Sequence, residues 1–238
     1  MRPLLHALVD PPEAMRRGAL DPRPLRTGAA LAGIALALGL ATVPRQLAIL
    51  NRVLAPTGDL AGDVHRAALH AGLLRLIVAD RVVPAPALLV AGVLLVALAE
   101  PVLMLARDRR PAIVQVVLLG LATLMVDRAG ELAITYLVPL ASQVTAGDAV
   151  LAPHRFRTGP LLLWRSASPA PLWLELLEPR ANFIVLWTAV LWSLGLRELE
   201  GRRLSGWHVS LPLACALGGG VVTWILGPLV VPVILGKG

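Results

Sequence analysis

The sequence predicts an all-α fold, a polytopic integral membrane helical bundle of about five transmembrane helices that follows an interfacial amphipathic N-terminal segment. Of the 238 residues, 57% are hydrophobic and 16% are charged, whereas roughly 25% of residues are charged in an average soluble domain. The mean hydropathy is +0.74. The charged residues also cluster between long charge-free runs, so they are too few and too unevenly placed to cover a soluble surface.

Residues 1–26 form the predicted interfacial segment. They combine arginine and proline with two short apolar stretches, Leu4–Val9 and Ala14–Leu20. Each stretch is too short to cross a membrane, and Asp10-Pro11-Pro12 separates them. We therefore expect short helices that lie on the membrane surface, with their arginines toward anionic headgroups.

Residues 27–238 form the predicted transmembrane domain. A helix rises about 1.5 Å per residue and must cross a hydrocarbon core of about 30 Å. Pro111 suits the first turn of a helix, and we expect one long helix after it rather than two short spans. Prolines inside the last apolar run predict a kinked helix. The predicted spans are about residues 27–44, 82–106, 111–140, 181–196 and 207–235.

Two long loops, 45–81 and 141–180, separate these spans, and the first contains apolar residues at helical spacing. With five spans, the basic residues divide equally between the two sides of the membrane. Two dense basic clusters, 107–110 and 197–203, nevertheless lie in short loops on one side. Because the positive-inside rule weights short loops, we expect a cytoplasmic N-terminus. The high arginine and alanine content suggests a GC-rich bacterial genome, and for a bacterial helical membrane protein we expect the inner membrane.

Four charged residues within or beside the predicted spans are the candidate functional residues: Glu100, Asp127, Arg128 and Glu131. Asp127 and Glu131 share one helical face, and Arg128 can pair with Glu131 at i, i+3. If these charges lie deep in the membrane, they indicate a proton or ion relay, or a docking point for another subunit's charge. Alternatively they lie at the interface. Glu100 can pair with Arg109 or Arg110 of the following turn.

Other functional classes receive less support from the sequence. The arginines form no basic stripe with interleaved aromatics, so nucleic-acid binding is not expected. The lone cysteine, Cys215, sits in an apolar run, and His65 and His70 miss the i, i+4 spacing of a helical zinc pair. Ser205 and His208 form an i, i+3 pair, but no acid is evidently placed to orient the histidine. We expect no cofactor, no metal and no enzymatic activity.

Several stretches resemble the bacterial Yip-domain family of membrane proteins. Residues 7–15, ALVDPPEAM, resemble that family's aspartate-proline step and short amphipathic helix before the first span. Residues 182–187 and 191–199 resemble its fourth span and the glycine-containing turn before the fifth, and Pro139 after Tyr136 resembles a proline late in its third span. The resemblance implies a non-enzymatic membrane protein. Some bacterial relatives accompany ABC-type exporters, and eukaryotic relatives bind Rab GTPases.

Two main functional hypotheses follow. In the first, the protein is an accessory or assembly subunit of a membrane complex such as an ABC-type export system, with the lipid bilayer and other membrane subunits as partners. In the second, it is a small transporter or channel that uses Glu100 and the Asp127, Arg128 and Glu131 charges. The oligomeric state is left open.

Overall fold

The structure, a computed structural model, describes residues 2–55, 60–82, 86–103, 109–137, 182–201 and 205–234. Within these ranges the chain is α-helical and contains no β-strand. The all-α prediction is therefore confirmed for the described residues. The helices are α1 (Arg2–Val9), α2 (Pro11–Leu20), α3 (Pro24–Val53), α4 (Leu60–Val82), α5 (Pro86–Leu103), α6 (Arg110–Gly120), α7 (Thr123–Leu137), α8 (Phe183–Glu200) and α9 (Gly206–Ile234).

Local sequence signals set several helix ends. Proline occupies the first turn of α2 and of α6, where its missing N–H costs no intrahelical hydrogen bond. At the start of α8, the Asn182 side chain accepts a 2.9 Å hydrogen bond from the Val185 N–H. The same helix ends at Gly201, which has φ 69° and whose N–H donates to the Arg197 carbonyl.

Among the described residues, two helical segments are long and apolar enough to cross a membrane, Pro24–Val53 and Arg110–Leu137. The first has 30 residues and so is about 45 Å long. Their surroundings differ, because 28% of the most apolar stretch of Pro24–Val53 is buried, against 72% for Arg110–Leu137. Ala87–Pro101, within α5, is a shorter apolar helix.

The helices can be compared with the predicted spans. α3 continues through Pro44 to Val53, past the predicted end of the first span. The predicted long third helix consists of α6 and α7, joined at Leu121 and Ala122 by hydrogen bonds of i, i+3 type. Most of the 45–81 loop is helical, in α3 and α4. The predicted 141–180 loop lies outside the described residues.

The chain divides into two compact units, of which the first contains described residues up to 34, those from 86 to 126, and those from 182 to 225. Helix α6 packs against α2, α5 and α8, while α1 packs against α2 and α6. Trp192 of α8 is fully buried, and its indole N–H donates a 3.0 Å hydrogen bond to the Val117 carbonyl. This bond fixes α8 on α6 within the core.

The second unit contains described residues from 35 to 82, those from 127 to 137, and those from 226 onward. Its small apolar core is formed by Ile49, Leu50 and Ile77. Outside that core, the Tyr136 hydroxyl donates a 3.0 Å hydrogen bond to the Ala41 carbonyl and so ties α7 to α3. This unit contains the charged group described next.

Candidate functional site

Glu131 lies at the centre of a buried group of charges in the second unit. Its Oε2 atom accepts a 2.8 Å hydrogen bond from Nη1 of Arg81, at the end of α4. The same oxygen accepts a second hydrogen bond from Nη1 of Arg128, one turn earlier on α7. The predicted i, i+3 pair is therefore present, together with a second arginine that lies 50 residues away along the chain.

The three side chains are almost completely removed from solvent. Arg81 is 0% exposed, Arg128 4% and Glu131 7%. Burial lowers the pKa of Arg81, whereas the charges of Glu131 and Asp127 act in the opposite direction. We call Arg81, Asp127, Arg128 and Glu131 the Glu131 cluster. The cluster contains two arginines and two acidic residues, of which Asp127 is only partly buried.

A close approach between helices brings Arg81 to this position. A Cβ atom at Gly39 of α3 would lie 2.7 Å from the Arg81 carbonyl oxygen, so a larger residue would push the two helices apart. One turn beyond Gly39, the buried Thr42 hydroxyl donates to the Gly39 carbonyl at 2.7 Å and lies 3.1 Å from Gln46 Oε1. Thus α3 contributes buried polar groups to the same unit.

Glu100 lies in the first unit. Of the two ion-pair partners predicted for it, Arg109 and Arg110, the structure pairs it with Arg110. Its Oε2 atom is 3.7 Å from Nε of Arg110, whose side chain is 65% exposed. Arg109 instead donates a 2.9 Å hydrogen bond from Nη1 to the Leu199 carbonyl. Because such an exposed ion pair contributes little free energy, Glu100 is a weaker candidate than Glu131.

The expectation that no acid orients His208 is wrong. Glu200 Oε2 lies 2.7 Å from the His208 Nε2 atom, and the Ser205 hydroxyl lies 2.6 Å from Nδ1. However, the Ser205 backbone N–H also donates to Nδ1, at 3.1 Å. That bond, from the residue before a helix to a side chain three positions later, is a capping-box contact. We therefore assign these residues to the start of α9 rather than to catalysis.

Sequence reasoning missed Arg81 and Glu200, the partners that complete these two groups. Arg81 ends a helix next to an apolar run, which is the usual position of a topological arginine. Only its burial distinguishes it, and the sequence carries no signal for that burial.

The remaining chemical options are narrow. Among the residues that the structure describes, no group of three or more His, Cys, Asp or Glu side chains is placed to hold a metal ion. Comparison with known protein families, characterised proteins and solved structures finds no match to this chain. We therefore infer the function from the geometry of the Glu131 cluster.

Proposed function

We propose that the protein is a non-enzymatic accessory or assembly subunit of a membrane complex, such as an ABC-type export system, and that it is a Yip-like protein of a bacterial inner membrane. In this proposal five helices cross the bilayer and the N-terminus is cytoplasmic. The low burial of the apolar stretch in α3 supports a membrane location, because an exposed apolar helix of this length is unfavourable in water.

The observation that favours an accessory role over transport is that Glu131 pairs with two arginines of the same chain. A relay carboxylate must exchange its proton with a pathway, whereas Glu131 is buried and accepts hydrogen bonds from two arginines. Buried charges that are paired with one another within the protein need no ion from outside to form the pair. The cluster therefore supports a role in holding α4 against α7.

Exposed apolar residues on α8 supply a surface for lipid or for another subunit. Phe183, Leu186 and Val190 share one helical face and are 58%, 46% and 44% exposed. We call these three residues the α8 stripe. Leu191 of the same helix is fully buried in the core of the first unit, so it provides an internal control.

Affinity purification of the tagged full-length protein in mild detergent, followed by mass spectrometry, tests this proposal. We expect a stoichiometric membrane partner. A photo-crosslinking residue at Leu186 should form an adduct with that partner, whereas the same residue at Leu191 should react only within the chain. Recovery of the protein alone, with only lipid adducts at Leu186, would contradict the proposal.

The alternative is a small transporter or channel, and the presence of four charged residues in the Glu131 cluster is the observation that favours it. The test is flux across proteoliposomes of the wild type and of the Glu100→Gln/Asp127→Asn variant. Measurable flux that is lost in the variant would support transport. Flux that is absent, or equal in both proteins, would leave the accessory role as the better explanation.

A further inference from the structure

The first unit contains a cavity of about 580 Å³ beside the N-terminal helices. Its walls come from α1, α2, the start of α3 and α6. Cavities of about 300–1,000 Å³ are the usual size for binding small molecules. The cavity belongs to a different unit from the Glu131 cluster, so the two are separate candidate sites.

Charged groups from the N-terminal segment line the cavity. Arg17, Asp21 and Arg23 are among its lining residues, and the side chains of the two arginines are 70% and 58% exposed. His6 adds an imidazole, while Leu20 and Leu119 add apolar surface. A guanidinium group presents parallel N–H donors that match the oxygens of a phosphate group. Two arginines beside apolar wall residues therefore suit a phosphate carried by an amphiphilic molecule.

A buried polar link fixes the wall on the α6 side. Gln115 is 4% exposed and Thr27 is 6% exposed, and Gln115 Nε2 donates a 2.9 Å hydrogen bond to Thr27 Oγ1. The Arg23 backbone N–H donates at 3.2 Å to Gln115 Oε1. Since both ends of the Gln115 amide are engaged, the Arg23 backbone is held in place against α6.

Both arginines also have carboxylate partners within the chain. Arg17 Nε lies 2.6 Å from Glu13, and Arg23 Nη2 lies 2.7 Å from Asp21. Arginine carries five N–H donors, so one carboxylate contact leaves donors for a phosphate. These ion pairs therefore orient the guanidinium groups without using all of their donors.

We propose that this cavity binds a phosphate group, with Arg17 and Arg23 as its cationic ligands. The phosphate comes either from a phospholipid headgroup or from a soluble phosphate compound, which share this chemistry. Only the headgroup source rests on the membrane location proposed above. If the protein does not lie in a membrane, a soluble phosphate compound remains the expected ligand, and the same assay tests it.

The experiment measures ligand binding to the full-length protein in mild detergent by native mass spectrometry. Short-chain phosphatidylglycerol and inorganic phosphate are titrated separately. Arg17→Gln/Arg23→Gln should weaken binding by about tenfold to hundredfold, since charge-assisted hydrogen bonds to phosphate are lost. Saturation by the lipid alone identifies a headgroup site, and saturation by inorganic phosphate identifies a soluble ligand.

A matched control separates this site from general attraction to a basic segment. Arg16→Gln/Arg26→Gln removes the same charge from the same segment. All four arginines are exposed, but Arg16 and Arg26 do not line the cavity. The affinity of this control variant should stay within about twofold of the wild type. An equal loss in both double variants, or no binding by either probe, would overturn the proposal.

Leu20→Trp provides a second test that keeps every charge. Leu20 lines the cavity and its side chain is 75% exposed, so the larger indole should occupy space without disturbing the core. Binding should fall although the arginines remain. Unchanged binding in this variant, with normal elution as a monodisperse protein, would also argue against the cavity as the site.

Discussion

At the scale of single residues, Glu131 takes part both in the ion pair that the sequence predicts and in a second ion pair that only folding creates. The spacing of Arg128 and Glu131 already allows a pair within one helix. Folding adds Arg81 from α4 and removes all three side chains from solvent. An ion pair that is weak on a helix surface thus becomes part of a buried network, in which the loss of one member leaves a charge uncompensated.

Arg81→Gln should therefore destabilise the protein by about 3 kcal/mol, the usual cost of removing one partner of a buried ion pair. Arg75→Gln is the matched control, because Arg75 lies on the same helix but is exposed. That control should change stability by no more than about 0.5 kcal/mol. Thermal unfolding in mild detergent measures both variants, and similar melting temperatures would contradict the assigned role of Arg81.

Glu131→Gln should be more damaging than Arg81→Gln. This substitution leaves two buried guanidinium groups without the carboxylate that both of them contact. The same unfolding measurement gives the order of the two variants. If Glu131→Gln were the more stable of the two, the carboxylate would not be the centre of the cluster.

The sequence indicates three of the four residues of the Glu131 cluster. The spacing on α7 brings Asp127, Arg128 and Glu131 together, since positions three and four apart are neighbours on any helix. Arg81 is 50 residues distant from Glu131, and its helix carries another arginine, Arg75, six positions earlier that is exposed. Nothing in the local pattern separates the two arginines, because burial is decided by how α4 packs.

At the scale of helices, small residues decide how closely α6 and α8 approach. Gly195 of α8 faces Val116, and Gly120 at the end of α6 faces Trp192. A Cβ atom at either glycine would overlap the neighbouring side chain. Small residues allow this kind of close contact between helices in membrane proteins.

Gly195→Ala should consequently destabilise the protein by about 1–3 kcal/mol through overpacking. Gly33→Ala on α3 is the control, because a Cβ atom there meets no other atom within 4 Å. The control should be neutral or stabilising by up to about 1 kcal/mol, since alanine favours the helix. Thermal unfolding compares them, and equal stabilities would show that α8 can move away from Val116 at no cost.

The N-terminal helix α2 predicts a pH effect. Hydrogen bonds from Arg17 and Arg16 hold the pKa of Glu13 below its ordinary value of 4.5. A carboxylate whose pKa is lowered in the folded state stabilises that state above its unfolded pKa, and this contribution is lost as the pH falls through the folded pKa. The stabilising contribution of Glu13 should thus be present at neutral pH, begin to decline near pH 4.5 and be lost as the pH falls through the lower pKa of the folded state.

Glu13→Gln is the variant that isolates this effect. The difference in melting temperature between wild type and variant should be constant from pH 8 to pH 6 and should shrink as the pH falls below about 4.5. Thermal unfolding across this pH range measures it. A difference that grows toward low pH would have the wrong sign for a carboxylate held by two arginines.

At the scale of the whole molecule, the predicted topology places the two ends of α3 on opposite sides of the membrane. Cys215 is the lone cysteine, so a Cys215→Ser background permits single-cysteine labelling. Arg16→Cys tests the N-terminal segment and Arg52→Cys tests the far end of α3, since both positions are exposed. An impermeant maleimide should label position 52 in intact cells, and position 16 only after permeabilisation.

Labelling of both positions from the same side would show that α3 does not cross the membrane. The proposed cytoplasmic N-terminus is tested separately, because a reversed pattern would retain the crossing and invert the orientation. The basic residues divide equally between the two sides, so the predicted orientation depends on two short basic loops. The positive-inside rule gives these loops weight because it counts basic residues near the ends of spans.

For the residues that the structure describes, the sequence alone determined the helical fold class and the approximate positions of the apolar helices. Charge-free runs bounded by proline and arginine specify such helices locally, because each helix satisfies its backbone hydrogen bonds within itself. Only the tertiary structure decided that Arg81 joins Glu131, that Glu200 meets His208, and that a cavity forms beside Arg17 and Arg23. The Arg81–Glu131 pair and the cavity walls join distant segments, whereas Glu200 and His208 lie on successive helices. In all three cases the geometry depends on side-chain packing, which no local pattern encodes.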